Sequence, residues 1–258
     1  MSRITNVFTG TERTALIAYI TIGYPSIETT LEVVPVLAEA GCDIVELGIP
    51  FSDPLADGTT IQEASSRALE AGVTPEICLD TAAKLREKVD IPLVFMTYYN
   101  PVLHFGLDSF CNACTGAGID GLIVPDLPPD EAAELDGFCQ RDAIDLIYLL
   151  TPASIKERIR LVAEKSRGFI YLVSLLGVTG TRDTLPPGIE DFVGRVREQT
   201  HKPLCVGFGI AGAEQARRVG QAADGVIVGS RLVQLVRDDV SPYSRVRSFV
   251  KELREALD

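Results

Sequence analysis

The sequence predicts an α/β protein: a single closed (β/α)8 (TIM) barrel spanning residues 1–258, with extra helical segments at its N- and C-terminal ends. Three observations carry this. Eight short apolar runs rich in β-branched residues recur along the chain. Helical stretches separate them, which is the alternation that builds a parallel sheet. The chain is 258 residues long and no Pro/Ser/Gly-rich linker divides it, and eight such units at this length favour a closed barrel over an open doubly wound sheet.

The predicted strands are ALIAYIT (15–21), DIVELG (43–48), PLVFMTY (92–98), DGLIVPD (120–126), DLIYLLT (145–151), GFIYLVS (168–174), PLCVGFG (203–209) and DGVIVGS (224–230). The helices between them carry start and stop signals. Thr74 is placed as an N-cap with Pro75 in the first helical position, where a missing N–H costs nothing. Ser241 with Pro242 behind it is read as the cap of the last helix. Gly41, Gly118 and Gly220 read as helix stops just before strands. The longest connections, 49–60 and 175–188, follow the second and sixth strands. In a barrel both lie at the C-terminal face, where active sites are built.

Composition excludes several classes. The apolar fraction is 46% and the formal net charge is -12. Nucleic acid and anionic membranes need a basic face, so neither is expected as a partner. No apolar run approaches the roughly 20 residues of a membrane span, and the N-terminus does not read as a signal peptide. Six scattered cysteines are expected as reduced thiols in a cytoplasmic protein. Cys111 and Cys114 form a C-x-x-C, but no second pair completes a zinc site, and no metal is expected. His104 and His201 are the only histidines, and no lysine lies within a strand run. Any chemistry must therefore rest on carboxylates.

Glu46 is the first candidate. In DIVELG it shares a face with Ile44 and Gly48, while Val45 and Leu47 take the other. Facing inward near the end of its strand it would line the barrel mouth, and burial there would raise its pKa into the range of a proton shuttle. A structural glutamate held by backbone or hydroxyl partners is the competing reading. Asp57 closes the stiff loop that runs from Pro50 through Asp53 and Pro54 to Gly58. It reads either as a second catalytic carboxylate or as a turn or N-cap residue.

GFGIAG places Gly207, Gly209 and Gly212 in a G-x-G-x-x-G pattern. A dinucleotide site would want an acidic residue ending the next strand, where Gly229 and Ser230 stand instead. The loops after barrel strands seven and eight recurrently bind phosphate through backbone N–H groups. Gly180, in the loop after strand six, could add another N–H; tight turns alone would also explain these glycines. Tyr19, Met96, Tyr98, Ile123 and Tyr171, near strand ends, would form an apolar pocket for a flat ring if they face inward, or ordinary barrel packing if they do not.

The segments ELGIPFSDPLADGTTIQ, GLIVPDLP, YLVSLLGVTGTR, GFGI and GVIVGS, in this order and spacing, resemble the tryptophan synthase alpha chain family. Two departures are Thr59, where the family often has proline, and the absence of a basic residue in SLLGVTG. The resemblance implies a lyase that splits indole-3-glycerol phosphate into indole and glyceraldehyde 3-phosphate without a cofactor of its own. By the same resemblance Glu46 is the acid/base, Asp57 the carboxylate facing the indole N–H, and Tyr171 a neighbour of Glu46. Thr179, Gly180, Gly207, Gly209, Gly229 and Ser230 match the phosphate side of the substrate site. Tyr19, Met96, Tyr98 and Ile123 match the indole pocket. Asp53, Asn100 and Asp126 to Pro128 match a surface that meets a beta chain, a pyridoxal phosphate enzyme, in an alpha2-beta2 assembly. The chain contains no tryptophan, which is compatible with a role in making it.

Overall fold

The computed structural model describes residues 1–10, 13–173, 188–207 and 209–258. Nine strands are present among them: β1 (Ala15–Thr21), β2 (Ile44–Gly48), β3 (Leu93–Met96), β4 (Gly121–Ile123), β5 (Asp145–Ile147), β6 (Leu149–Leu150), β7 (Ile170–Val173), β8 (Leu204–Gly207) and β9 (Gly225–Val228). All pairings are parallel, in the order β5-β4-β3-β2-β1-β9-β8-β7-β6.

The expected eight strands become nine because 145–151 is broken at Tyr148. Its N–H is taken by the Ser166 hydroxyl at 3.1 Å, so it leaves the ladder. The carbonyl of Tyr148 still accepts from the Tyr171 N–H at 3.0 Å. Before the break the chain pairs with β4, and after it with β7. The two ends of the sheet order are therefore one continuous run of chain, which brings the barrel round on itself.

Helices cover the outside: α1 (Arg3–Val7), α2 (Ile27–Ala40), α3 (Thr59–Glu70), α4 (Pro75–Arg86), α5 (Tyr99–Phe105), α6 (Leu107–Gly116), α7 (Ala133–Arg141), α8 (Lys156–Lys165), α9 (Ile189–Arg197), α10 (Ala213–Gly220), α11 (Ser230–Asp238) and α12 (Ser244–Leu257). Thr74 caps α4 as expected, accepting from the Ile77 N–H. Ser241 does not cap α12. That helix begins at Ser244, and the Asp239 carboxylate accepts from the N–H groups of Arg245 and Val246 at 2.8 and 3.0 Å. A carboxylate reaching forward from before the turn does the work expected of the serine. Gly220 is the last residue of α10 rather than a left-handed stop; a Cβ there would lie 2.7 Å from Leu257 of α12. Helix α5 was not anticipated, and it is capped from a distance: the Asp126 carboxylate accepts from the Tyr99 N–H at 2.9 Å.

Strand alternation sorts the apolar residues into two clusters. Val45 and Leu47 pack outward with the helices, while Ile17, Ile44, Val94, Ile123, Phe169 and Ile227 fill the interior. At the N-terminal end, aspartates that precede strands tie each strand to its neighbour. Asp43, Asp120 and Asp224 accept from N–H groups at the starts of the adjacent strands, at Leu16, Leu93 and Leu204, over 2.7–2.9 Å. Arg254, Arg86 and Arg197 pair with the same three carboxylates. Ile4 of α1 plugs this end, entering where Gly121 and Gly168 lack a Cβ.

Candidate active site

Strand β2 carries Glu46 into the barrel between Tyr19 of β1 and Val94 of β3. The residue is 0% exposed, and neither carboxylate oxygen has a hydrogen-bond partner among the described residues. Ionising a group so placed would strip a charge of water with nothing in return. Burial accordingly pushes its pKa from the usual 4.5 up to about 8. A structural glutamate would be satisfied by its surroundings; among the described residues this one is not.

Asp57 stands at the end of the loop between β2 and α3. It is not the helix cap: Gly58 occupies that position, without a side-chain bond. The Asp57 backbone is pinned on both sides, by its own N–H to the Pro54 carbonyl at 3.0 Å and by the Gln62 side-chain amide, which donates to its carbonyl at 2.9 Å. Its carboxylate is buried, and one oxygen has no partner among the described residues. Burial raises its pKa to about 6, opposed by a hydrogen bond from the Tyr98 hydroxyl. The two carboxyls thus rest in different protonation states at neutral pH, Glu46 mostly as the acid and Asp57 mostly as the anion. That division is what a general acid working beside an electrostatic partner requires.

A cavity opens over them, lined by Tyr19, Asp57, Ile61, Met96, Tyr171, Gly209, Ile210, Ile227, Gly229 and Ser230. Seven of these ten were expected from sequence. Glu46 is not itself a lining residue; it is covered, and is coupled electrostatically to Tyr19 and Tyr171, which do line the cavity. Ile123 lies in the interior packing and Tyr98 beside the Asp57 loop, so neither forms the wall. Gly207 also stands back. A Cβ there would collide with the Tyr171 phenol, its Cζ only 2.7 Å away, and one at Gly48 would collide in the same way with Tyr19. Both glycines make room for the tyrosines. Thr179 and Gly180 lie outside the described residues.

Three lining isoleucines were missed. Ile227 shares the inward parity of Gly225 and Gly229 and could have been found by alternation. Ile61 belongs to the buried 61, 64, 65, 68 stripe of α3, a helical signal that points to packing as readily as to a site. Ile210 follows the glycine turn and carries no periodic signal.

The anion side is built from backbone. Gly209 has φ +82°, a conformation that favours glycine. Gly229 precedes α11 and Ser230 opens it, with no side chain capping that end. The first-turn N–H groups there have no partner within the helix. Asp53 and Asp126 are exposed on loops at the strands' C-terminal ends, Asn100 is exposed in the first turn of α5 and Pro128 is half-buried, with Leu55 beside Asp53 at 82% exposure. All six cysteines are buried free thiols, and no cluster suited to a metal occurs among the described residues. No helix among them is long and apolar enough to cross a membrane.

The parallel barrel, with a cavity and two buried carboxyls of separated acidity, suits an enzyme of the (β/α)8 class. Comparison with known proteins narrows the class. The family model described as tryptophan synthase alpha chain matches residues 7–257. The tryptophan synthase alpha chain of Dehalococcoides mccartyi is 57% identical over 258 residues, covering 100% of both chains. That of Geobacter sulfurreducens is 47% identical, over 100% of this chain and 99% of its own length. Among solved structures, Mycobacterium tuberculosis tryptophan synthase superposes with a TM-score of 0.93 at 39% identity, covering 99% of this chain and 98% of that one. The alpha subunit from Legionella pneumophila gives 0.92 at 33%, over 100% and 99%. The chain belongs to the tryptophan synthase alpha chain family, lyases that cleave indole-3-glycerol phosphate.

Proposed function

We propose that Glu46 and Asp57 carry the cleavage of indole-3-glycerol phosphate to indole and glyceraldehyde 3-phosphate. The carrying observation is Glu46: a fully buried carboxyl with no hydrogen-bond partner among the described residues and a pKa near 8. As the acid it gives its proton to indole C3. The ring becomes an indoleninium cation whose N–H faces the Asp57 carboxylate. Glu46, now a carboxylate, takes the proton of the side-chain hydroxyl next to C3. The C–C bond breaks as that oxygen becomes the aldehyde, and its electron pair restores the indole ring. Glu46 ends protonated, as it began.

Tyr19, Met96 and Tyr171 flank the ring, with Ile61, Ile210 and Ile227 supplying the apolar remainder; Ile123 and Tyr98 stand behind them. The phosphate sits against Gly209, Gly229 and Ser230, with Thr179, Gly180 and Gly207 as the further candidates on that side. Backbone N–H groups at a helix N-terminus suit an anion, which is how a chain of net charge -12 can hold one. The reaction needs no cofactor in this chain. Residues 1–258 act as one barrel domain in the cytoplasm, in an alpha2-beta2 assembly with a beta chain that holds pyridoxal phosphate and receives the indole. The face bearing Asp53, Asn100, Asp126 and Pro128 meets that partner; exposure of Leu55 among charged and polar neighbours supports this.

The test is indole release from indole-3-glycerol phosphate by the purified chain, with and without a beta chain. Release that rises on adding the beta chain is expected. Release indifferent to it would remove the partnership but keep the lyase. No release in either condition from folded protein would overturn the reaction.

A further inference from the structure

The loop that ends in Asp57 is held by one side chain from a neighbouring strand. Tyr98 follows β3 and is the N-cap residue of α5. Its hydroxyl accepts from the Ala56 N–H, one residue before Asp57, at 2.9 Å. Its ring stacks on Phe51 at the start of the same loop, with centroids 5.2 Å apart and planes 28° apart. One phenol thus grips the loop at both ends, and it is only 6% exposed.

We propose that Tyr98 is a positioning residue for the reaction rather than a wall of the indole pocket: it fixes the 51–57 loop and, through it, the Asp57 carboxylate that faces the ring nitrogen. This rests on the reading of Asp57 given above. With the Ala56 N–H donating to its oxygen, the phenol keeps its own proton for an acceptor, and it acts on the neighbouring Asp57 carboxylate. A phenol O–H donated to a carboxylate favours the anion. The effect on Asp57 runs against that of burial. Phe51 supplies the orientation, since a stacked ring cannot swing its hydroxyl away from the loop.

The test is Tyr98→Phe, which keeps the stacked ring and removes only the hydroxyl. A hydrogen bond to a charged group is large enough to move the acid limb of kcat/KM upward by about one pH unit. With the wild-type limb near 6, the variant should then lose about fivefold more activity at pH 6 than at pH 8. Loss by the same factor at every pH, or no loss, overturns the proposal. A merely structural tyrosine would lower the melting temperature and leave the limb in place. Phe51→Leu serves as the second variant: it keeps the Tyr98 hydroxyl and its bond from Ala56 and should loosen the loop without moving the limb; a moved limb there counts against the hydroxyl. Asp57→Asn separates the two readings. An acid limb that survives in Asp57→Asn refutes the assignment of Asp57 itself. An acid limb lost in Asp57→Asn but unmoved in Tyr98→Phe refutes Tyr98 alone.

Discussion

Replacing Glu46 by glutamine should destroy turnover and stabilise the fold, and the second effect should depend on pH in a way that only the buried carboxyl can produce. In the folded chain the carboxyl titrates near 8 instead of 4.5, because burial penalises its charged form. Between those values the folded state binds the proton and the unfolded state does not. Stability therefore falls as pH rises through this window. Below 4.5 both states are protonated and the penalty is absent; above 8 it is complete. At about 1.4 kcal/mol per pH unit, the full window amounts to about 5 kcal/mol, and about 3 kcal/mol of it is present at pH 7. Domain stabilities are themselves only about 5–15 kcal/mol, so the penalty is a large fraction of the whole.

Glutamine has nearly the same shape and cannot ionise. Relative to the wild type, Glu46→Gln should gain little at pH 4.5 and about 5 kcal/mol at pH 8.5. Urea unfolding of both proteins at pH 5, 7 and 8.5 measures this as a widening gap between midpoints. A gap that stays constant with pH, or one in which the wild type gains as pH rises, would refute the buried, unpaired state of Glu46 and with it the basis of the proton shuttle.

The two carboxyls should also shape the wild-type kcat/KM profile into a bell, with an acid limb near 6 from Asp57 and a basic limb near 8 from Glu46; a single limb would mean that only one of them titrates in the free enzyme. Gly207→Ala would drive a Cβ into the Tyr171 ring and should cost about 1–3 kcal/mol of stability together with a clear loss of kcat, read by urea midpoint and steady-state kinetics. Asp43→Ala removes one of the two carboxylates beside Arg254, which is 7% exposed and keeps Asp258 and the Thr14 carbonyl, and strips the acceptor from the Leu16 N–H; a loss of about 1–3 kcal/mol is expected, with both limbs of the pH profile unmoved. Inorganic phosphate should raise KM without changing kcat, and its failure to compete would contradict the site at Gly209, Gly229 and Ser230.

Where local chemistry decides, the sequence was legible. The alternation in DIVELG separates Ile44 and Glu46 from Val45 and Leu47, and the two sets do fall into the inner and outer clusters. Thr74 and Pro75 mark a helix start because capping is a matter of a few adjacent residues. Where a distant group decides, the sequence was silent. Ser166 breaks the fifth strand from 18 residues away, and Asp126 caps α5 from 27 away. Nothing near Tyr148 or Tyr99 announces either. The same limit explains Tyr98. Its place at a strand end predicted a pocket wall, but its hydroxyl's partner, Ala56, lies 42 positions back in the chain, on a loop whose course depends on the closed barrel.

The glycines show how one barrel keeps its two ends to different tasks. At the N-terminal end Gly121 and Gly168 leave out a Cβ so that Ile4 can seal the interior, and the strand starts are tied by aspartate and arginine. At the other end Gly48 and Gly207 leave out a Cβ so that two phenols can lean inward over Glu46. The omitted atoms are equivalent in size, yet one set closes a core and the other arranges a site. Glu46 depends on both. Its raised pKa needs water kept out from below as well as from above, since a partly hydrated carboxyl would return toward its ordinary acidity. The acidity of the proposed acid is therefore set by the packing of the whole interior rather than by any one neighbour. That is consistent with burial being the only cause that shifts it.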